Sequence, residues 1–208
     1  MSILLILISV FGILYSFPNL VKKPSLDYIL KPLTTVLIIV LAFTQQPEVF
    51  TTYKYLVIGA LILSLAGDVF LMLPTDKFVH GLASFLGAHI LYIIAFGQGF
   101  GPYTEISYLI PSAVYSIVFL WILLPKTGKM KVPVLVYALV LMVFLWQATG
   151  RFYYLADESS LYIFLGAILF VVSDTILAYS RFVKNFKVSR SLIHLTYWGA
   201  QIFLALSI

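Results

Sequence analysis

Long runs of apolar residues alternate with short polar breaks along the whole chain. The runs cover 2–17, 30–45, 55–73, 78–98, 106–124, 132–150, 160–180 and 190–207. Each approaches the roughly 20 residues that a helix needs to cross the hydrocarbon core of a bilayer. The breaks carry turn and charge signals, among them Pro18-Asn19, Lys22-Lys23-Pro24, Gln45-Gln46-Pro47-Glu48, Pro74-Thr75-Asp76-Lys77 and Pro125-Lys126-Thr127-Gly128-Lys129. This pattern predicts an all-α membrane protein, a polytopic bundle of about eight transmembrane helices in a single domain over 1–208. The first run lacks a basic leader and a small-residue cleavage site, so it reads as a retained helix rather than a signal peptide.

Composition narrows the class further. The 208 residues are 62% hydrophobic and only 10% charged, against about 25% charged in soluble domains. Too few polar residues remain to cover a soluble surface, and eight spans leave no room for a separate soluble domain. The absence of cysteine excludes disulfides and thiol chemistry. The net charge of +5 hints at nucleic acid, but its distribution says otherwise. All of the Lys and Arg residues except Lys54 and Arg151 fall in alternate loops, at Lys22, Lys23 and Lys31, Lys77, Lys126, Lys129 and Lys131, and Arg181, Lys184, Lys187 and Arg190. The positive-inside rule puts those loops in the cytoplasm and both termini outside, in a multi-pass protein expected in a bacterial inner membrane. The cations are topology signals that also meet anionic membrane lipids; no nucleic acid is expected as a partner.

Within the apolar runs stand two aspartates, Asp68 and Asp174. A charged side chain at mid-bilayer costs about 2.5–3.5 kcal/mol on the insertion scale, so it is normally kept for a task, with interhelical hydrogen bonding as the bland alternative. The two halves of the chain also look alike. Gly59-Ala60, Asp68 and His89-x-x-Tyr92 in the first half are answered by Gly166-Ala167, Asp174 and His194-x-x-Tyr197 in the second. An internal repeat of four helices, 1–104 and 105–208, is therefore expected, with parallel copies. Both aspartates would then lie about 10–14 Å inside the cytoplasmic ends of their helices.

Residues i and i+3 share a helix face, so His89 with Tyr92, and His194 with Tyr197, are candidates to orient or charge-balance the aspartates. Each has a plain alternative as a packing residue or an interfacial aromatic. Lys31 heads the second helix beside Pro32 and reads either as a snorkelling anchor or as a partner for a lipid phosphate or a carboxylate. Arg151 and Tyr153-Tyr154 read as an interfacial belt on the opposite face.

Several segments in order resemble the YhhN-like family of integral membrane lysoplasmalogenases. They are Lys31-Pro32-Leu33-Thr34, Gly67-Asp68-Val69-Phe70-Leu71-Met72-Leu73-Pro74, and Phe78-x-x-Gly81-Leu82-x-x-Phe85-x-x-Ala88-His89-x-x-Tyr92. Later come Gly166-Ala167-x-x-Phe170-x-x-Ser173-Asp174-x-x-Leu177-Ala178 and Arg181-Phe182. The resemblance implies an eight-helix enzyme that cleaves the vinyl ether bond of a lysophospholipid substrate, lysoplasmalogen. The products would be a fatty aldehyde and glycerophosphocholine or glycerophosphoethanolamine. No metal and no cofactor are implied.

Two carboxyl groups suit that chemistry. A vinyl ether yields to acid: a proton adds to the carbon beta to oxygen, and water then captures the oxocarbenium-like cation. One carboxyl must carry a proton, and the other must stay ionised, the division of labour of glycosidases. Asp68 and Asp174 are the expected pair, with either as the acid. The alternative is a proton-coupled membrane transporter of a small or lipid-like solute, since parallel repeats and buried carboxylates describe such carriers too. An intramembrane aspartyl protease would carry Gly-x-Gly-Asp, where this chain has Leu65-Ala66-Gly67-Asp68. A zinc hydrolase built from Asp68, Asp174, His80, His89 and His194 has ligand types enough but no closely spaced histidine pair.

Overall fold

The computed structural model describes residues 2–17, 24–46, 51–99, 101–102 and 105–208. The turn signals at Pro18-Asn19 and Pro47-Glu48, the cations Lys22 and Lys23, and the boundary of the expected repeat at residue 104 lie outside the described residues. Among the described residues eight α-helices follow one another: α1 (Ser2–Ser16), α2 (Pro24–Thr44), α3 (Thr51–Met72), α4 (Phe78–Phe96), α5 (Ile106–Leu123), α6 (Lys131–Leu155), α7 (Glu158–Phe182) and α8 (Ser189–Leu206). Among the described residues, the six from α2 to α7 are long and apolar enough to cross a membrane. The chain is a polytopic helical membrane protein.

Two of the boundaries that differ from the apolar pattern matter for the site. Helix α2 begins at Pro24, not near residue 30, so Pro32 lies inside it. The first turns carry Asp27 and Tyr28, which interrupt the apolar run without interrupting the helix. Lys31 therefore does not head the helix. Helix α6 continues to Leu155 and stops where Ala156 turns left-handed at φ 53, which keeps Arg151 in its last turns. Arg151 is buried, its guanidinium donating to the Phe96 carbonyl at 2.7 Å, so it is no part of an interfacial belt. Tyr153 and Tyr154 are exposed, as a belt requires.

Glycines let two antiparallel pairs approach closely, as small residues do in membrane bundles. In α3/α4, Leu91 packs on Gly59 and Leu63 on Gly87; in α7/α8, Leu204 packs on Gly166 and Leu169 on Gly199. Helix α2 lies against α3 and α8, and α6 lies against α7 and α4. The pairing is thus the same when helices 1–4 are exchanged for helices 5–8 at these positions. Helix α1 rests on α2 and α8. Helix α5 leans mainly on α6, and its buried residues Leu120 and Leu123 join Val134 in a cluster separate from the main core.

Ion pairs gather the basic loops on one face. Arg181 at the end of α7 meets Asp76 of the α3–α4 loop at 2.6 Å, and Arg190 of α8 meets Asp27 of α2 at 2.8 Å. The ends of α3 and α7 therefore lie side by side, which brings Asp68 and Asp174 near the same end of the bundle.

Candidate active site

Asp68 is 1% exposed and has partners on two other helices. The Lys31 ammonium stands 3.2 Å from Oδ1. Oδ2 accepts from the Thr35 hydroxyl at 2.7 Å and from the Tyr197 hydroxyl at 2.8 Å. Lys31 and Thr35 are four residues apart on α2 and so face the same way. The Trp198 indole N–H donates to Thr35 Oγ1 at 3.3 Å, which leaves the Thr35 proton for Asp68. Three donors and no acceptor converge on this carboxyl, surroundings that suit a carboxylate.

Asp174 is built differently. Its Oδ2 accepts from the Tyr137 hydroxyl of α6 at 2.6 Å. The other neighbour is His89 of α4, whose Nε2 lies 3.9 Å from the same oxygen. His89 Nδ1 is 2.7 Å from the Phe85 carbonyl oxygen; a carbonyl only accepts, so Nδ1 carries the hydrogen. In the neutral ring Nε2 is then an acceptor, and it has no hydrogen bond among the described residues. The ring is wedged edge-on against Phe170 and Phe144, with centroids 4.5 and 4.8 Å away. No lysine or arginine pairs with Asp174 among the described residues.

The partner sets mirror each other across the halves. Asp68 of α3 is met from α2 and α8, Asp174 of α7 from α6 and α4. His194 repeats the bond of His89, its Nδ1 lying 2.7 Å from the Arg190 carbonyl four residues back.

Two cavities meet at Asp174. One encloses about 790 Å³ of space between α4, α5, α6 and α7, part of it open to the outside, and is walled by Leu82, Phe119, Ala138, Leu141, Leu145 and other apolar side chains. The other, about 630 Å³, holds Lys31, Asp68, His194 and Tyr197. Among the described residues, Leu71, Phe85, Asp174 and Leu177 border both.

The structure thus brings together Asp68, Asp174, Lys31, His194 and Tyr197 around one cavity, with His89 touching Asp174 from behind. Tyr92 stands apart: it is fully buried against Phe96 and Phe144 and lines neither cavity. His80 is exposed beside Phe70. Among the described residues no three His, Asp or Glu side chains are grouped so as to hold a metal ion. Thr35, Tyr137 and Tyr15 were not singled out by sequence. Thr35 carried the one usable signal, its four-residue offset from Lys31. Tyr15 edges the His194 ring at 4.6 Å and lines the second cavity.

Comparison with known proteins bears on this geometry. The YhhN family model matches residues 26–208. The chain is 37% identical to Lysoplasmalogenase TMEM86B of Homo sapiens over 159 residues, 74% of this chain and 64% of that protein. It is 33% identical to Lysoplasmalogenase TMEM86B of Sus scrofa over 151 residues, 72% of this chain and 62% of that one. To the Uncharacterized membrane protein YhhN of Escherichia coli O157:H7 it is 24% identical over 186 residues, 87% of this chain and 86% of the other. The matched region thus spans a little under two thirds of the mammalian relatives. No solved structure matches.

Proposed function

The chain belongs to the YhhN family, and from that membership and the paired aspartates we propose that it is a lysoplasmalogenase. It hydrolyses the vinyl ether of a lysoplasmalogen to a fatty aldehyde and glycerophosphocholine or glycerophosphoethanolamine. The observation that carries the reading is the position of Asp174, on the seam between an apolar cavity and a polar one that holds Asp68 and Lys31. A lysolipid has that same division. Its alkenyl chain occupies the apolar cavity and its phosphate the side of Lys31 and His194, which lays the vinyl ether across the seam.

Asp174 is the general acid in this proposal. The acceptor nitrogen of neutral His89 faces it, and among the described residues no cation is paired with it, so a proton on this carboxyl meets favourable surroundings. That proton passes to the carbon beta to the ether oxygen. Positive charge develops on the neighbouring carbon and oxygen, and the Asp68 carboxylate, held by Thr35, Tyr197 and Lys31, faces it. Water adds to the cationic carbon and gives a proton to Asp68. The resulting hemiacetal collapses as the Asp174 carboxylate takes its hydroxyl proton and Asp68 returns its proton to the departing glycerol oxygen. One water is consumed and both carboxyls return to their starting forms.

The matching partner sets of Asp68 and Asp174 support a duplicated four-helix unit. The basic face that carries Arg181 and Arg190 is the cytoplasmic one in this reading, with the termini outside and membrane lipids as neighbours.

The test is aldehyde release from lysoplasmenylcholine and lysoplasmenylethanolamine by detergent-purified protein, with a saturated ether lysolipid as control. Release that requires the vinyl ether and both aspartates is the expected result. A folded, monodisperse sample that releases none overturns the assignment in favour of a carrier, which uptake into liposomes would then reveal.

A further inference from the structure

His89 and His194 hold answering places in the two halves, and each ties Nδ1 to a carbonyl one turn back. What their other nitrogens face differs. His89 Nε2 is sealed in the core, 3.9 Å from Asp174. Carried across the repeat, His194 would stand at Asp68. Among the described residues it does not come within ion-pair distance of that carboxyl, where the Lys31 ammonium stands 3.2 Å from Oδ1. The His194 ring borders the polar cavity instead.

A carbonyl only accepts, so the 2.7 Å contact with the Arg190 oxygen puts the hydrogen of His194 on Nδ1. Nε2 of the neutral ring is then an acceptor, and among the described residues it has no hydrogen bond of its own. The rings of Tyr15 and Trp198, with centroids 4.6 and 5.3 Å away, hold the imidazole in place. Most other polar groups of the cavity are already committed. Tyr197 donates to Asp68, Ser173 donates to the Ile193 carbonyl at 3.0 Å, and an ammonium such as Lys31 accepts nothing. Both oxygens of Asp68 have partners. A ligand hydroxyl in this cavity finds an open acceptor at His194 Nε2.

The Ser173 bond also fixes where that acceptor stands. It joins the residue before Asp174 to the residue before His194, so the two side chains leave α7 and α8 from neighbouring points. Both line the same cavity. In the proposed reaction the vinyl ether lies at Asp174 and the phosphate toward Lys31, which carries the intervening glycerol past His194. The middle carbon of that glycerol bears a free hydroxyl in a lysolipid and an acyl ester in the intact two-chain lipid. A hydroxyl offers the nitrogen a hydrogen, whereas an ester oxygen sets lone pair against lone pair. Sites built to bond a substrate hydroxyl reject analogues that lack it.

We propose that His194 selects the lyso form of the lipid, its Nε2 accepting a hydrogen bond from the free hydroxyl on the middle glycerol carbon. This rests on the hydrolase reading and on its placement of the lipid. His194 acts on specificity alone: it moves no proton of the reaction.

Aldehyde release from lysoplasmenylcholine is compared with release from two analogues, carrying hydrogen or methoxy in place of that hydroxyl. Wild type prefers the hydroxyl form to both in kcat/KM by roughly 10–100-fold, the range for one desolvated acceptor left without its donor. In H194F the preference falls to near one, and H194Q, which keeps an acceptor, retains part of it. A residue that only packs would lower all three rates together and leave the preference intact. Wild type that turns over the methoxy form as well as the hydroxyl form overturns the proposal without any variant having to fold. H194F with the wild-type preference overturns it too. If wild type releases no aldehyde at all, binding of the saturated ether lysolipid and of its deoxy counterpart to protein in nanodiscs decides. Tighter binding of the hydroxyl form, lost in H194F, keeps the His194 contact and fails the hydrolase reading; equal binding overturns both.

Discussion

His89 presents its acceptor nitrogen to Asp174 across 3.9 Å because its other nitrogen is committed to the Phe85 carbonyl. A carboxylate there would face a lone pair, whereas a carboxylic acid would face a partner. In the proposed mechanism this geometry suits Asp174 to carry the proton and Asp68, ringed by donors, to stay the anion.

D174N should accordingly remove the acid while keeping the shape, since the Asn carbonyl still accepts from Tyr137. General acid catalysis is worth about 10²–10⁴ in rate, so kcat for aldehyde release falls by that order with KM and thermal unfolding little changed. Initial rates on purified protein decide it; turnover near wild type would take Asp174 out of the mechanism.

D68N has a second effect, because it leaves the Lys31 ammonium buried without its counter-charge. Breaking a buried pair from one side costs about 3–5 kcal/mol. D68N should unfold at a markedly lower temperature, and adding K31M should restore most of that loss without restoring activity. Thermal scans in detergent measure both; a double variant no more stable than D68N would mean that the two charges are not coupled.

Gly67, next to Asp68, has the Phe85 ring against it. A methyl group there would stand 2.7 Å from that ring, and Phe85 borders both cavities. Overpacking of this kind costs about 1–3 kcal/mol, and the ring yields toward the cavities, which are the open side. G67A therefore loses more activity than stability, with a raised KM as the signature. An unchanged KM in kinetic assays would count against Phe85 as a wall of the substrate site.

Ala138 lines the apolar cavity without touching the polar one. In A138W the indole occupies space assigned to the alkenyl chain, so long-chain substrates lose more kcat/KM than short-chain ones. Comparing two chain lengths provides the check, and a uniform loss would speak against that cavity as the chain site.

The Arg181 guanidinium bonds to Asp76 and holds its carboxyl below the usual carboxylate range. A lowered carboxyl adds stability above its unfolded value, about 3.9, and loses it as pH falls through the lower folded value. D76N should thus unfold slightly earlier than wild type at pH 7, and the two should converge well below pH 4. A difference that persists there would assign the effect to the backbone bond between Phe78 and Asp76 rather than to charge.

The bundle and its two aspartates are legible in the chain because apolar runs and intramembrane acids are both governed by the bilayer. The Asp68 cation is legible only as one of two readings of Lys31, because Lys31 sits where an apolar run begins and beside a proline, the usual marks of a helix start. The polar turns from Pro24 to Tyr28 conceal that the helix is already under way. Arg151 is obscured in the opposite sense, since the apolar run ends before the helix does. Tyr137 and Tyr197 become donors to aspartates only through packing between helices far apart in sequence; His194-x-x-Tyr197 marked one of them by its repeat, and nothing in sequence marked the other.

Tyr197 belongs to α8, five helices after α3, and it completes the setting of Asp68 on α3. A ribosome delivers α3 to the membrane long before α8. Until α8 inserts, Asp68 lacks one of its donors and the wall that Tyr197 and His194 supply to the polar cavity. A nascent chain stalled before α8 would be a membrane protein with both acids in place but the polar cavity still open on one side.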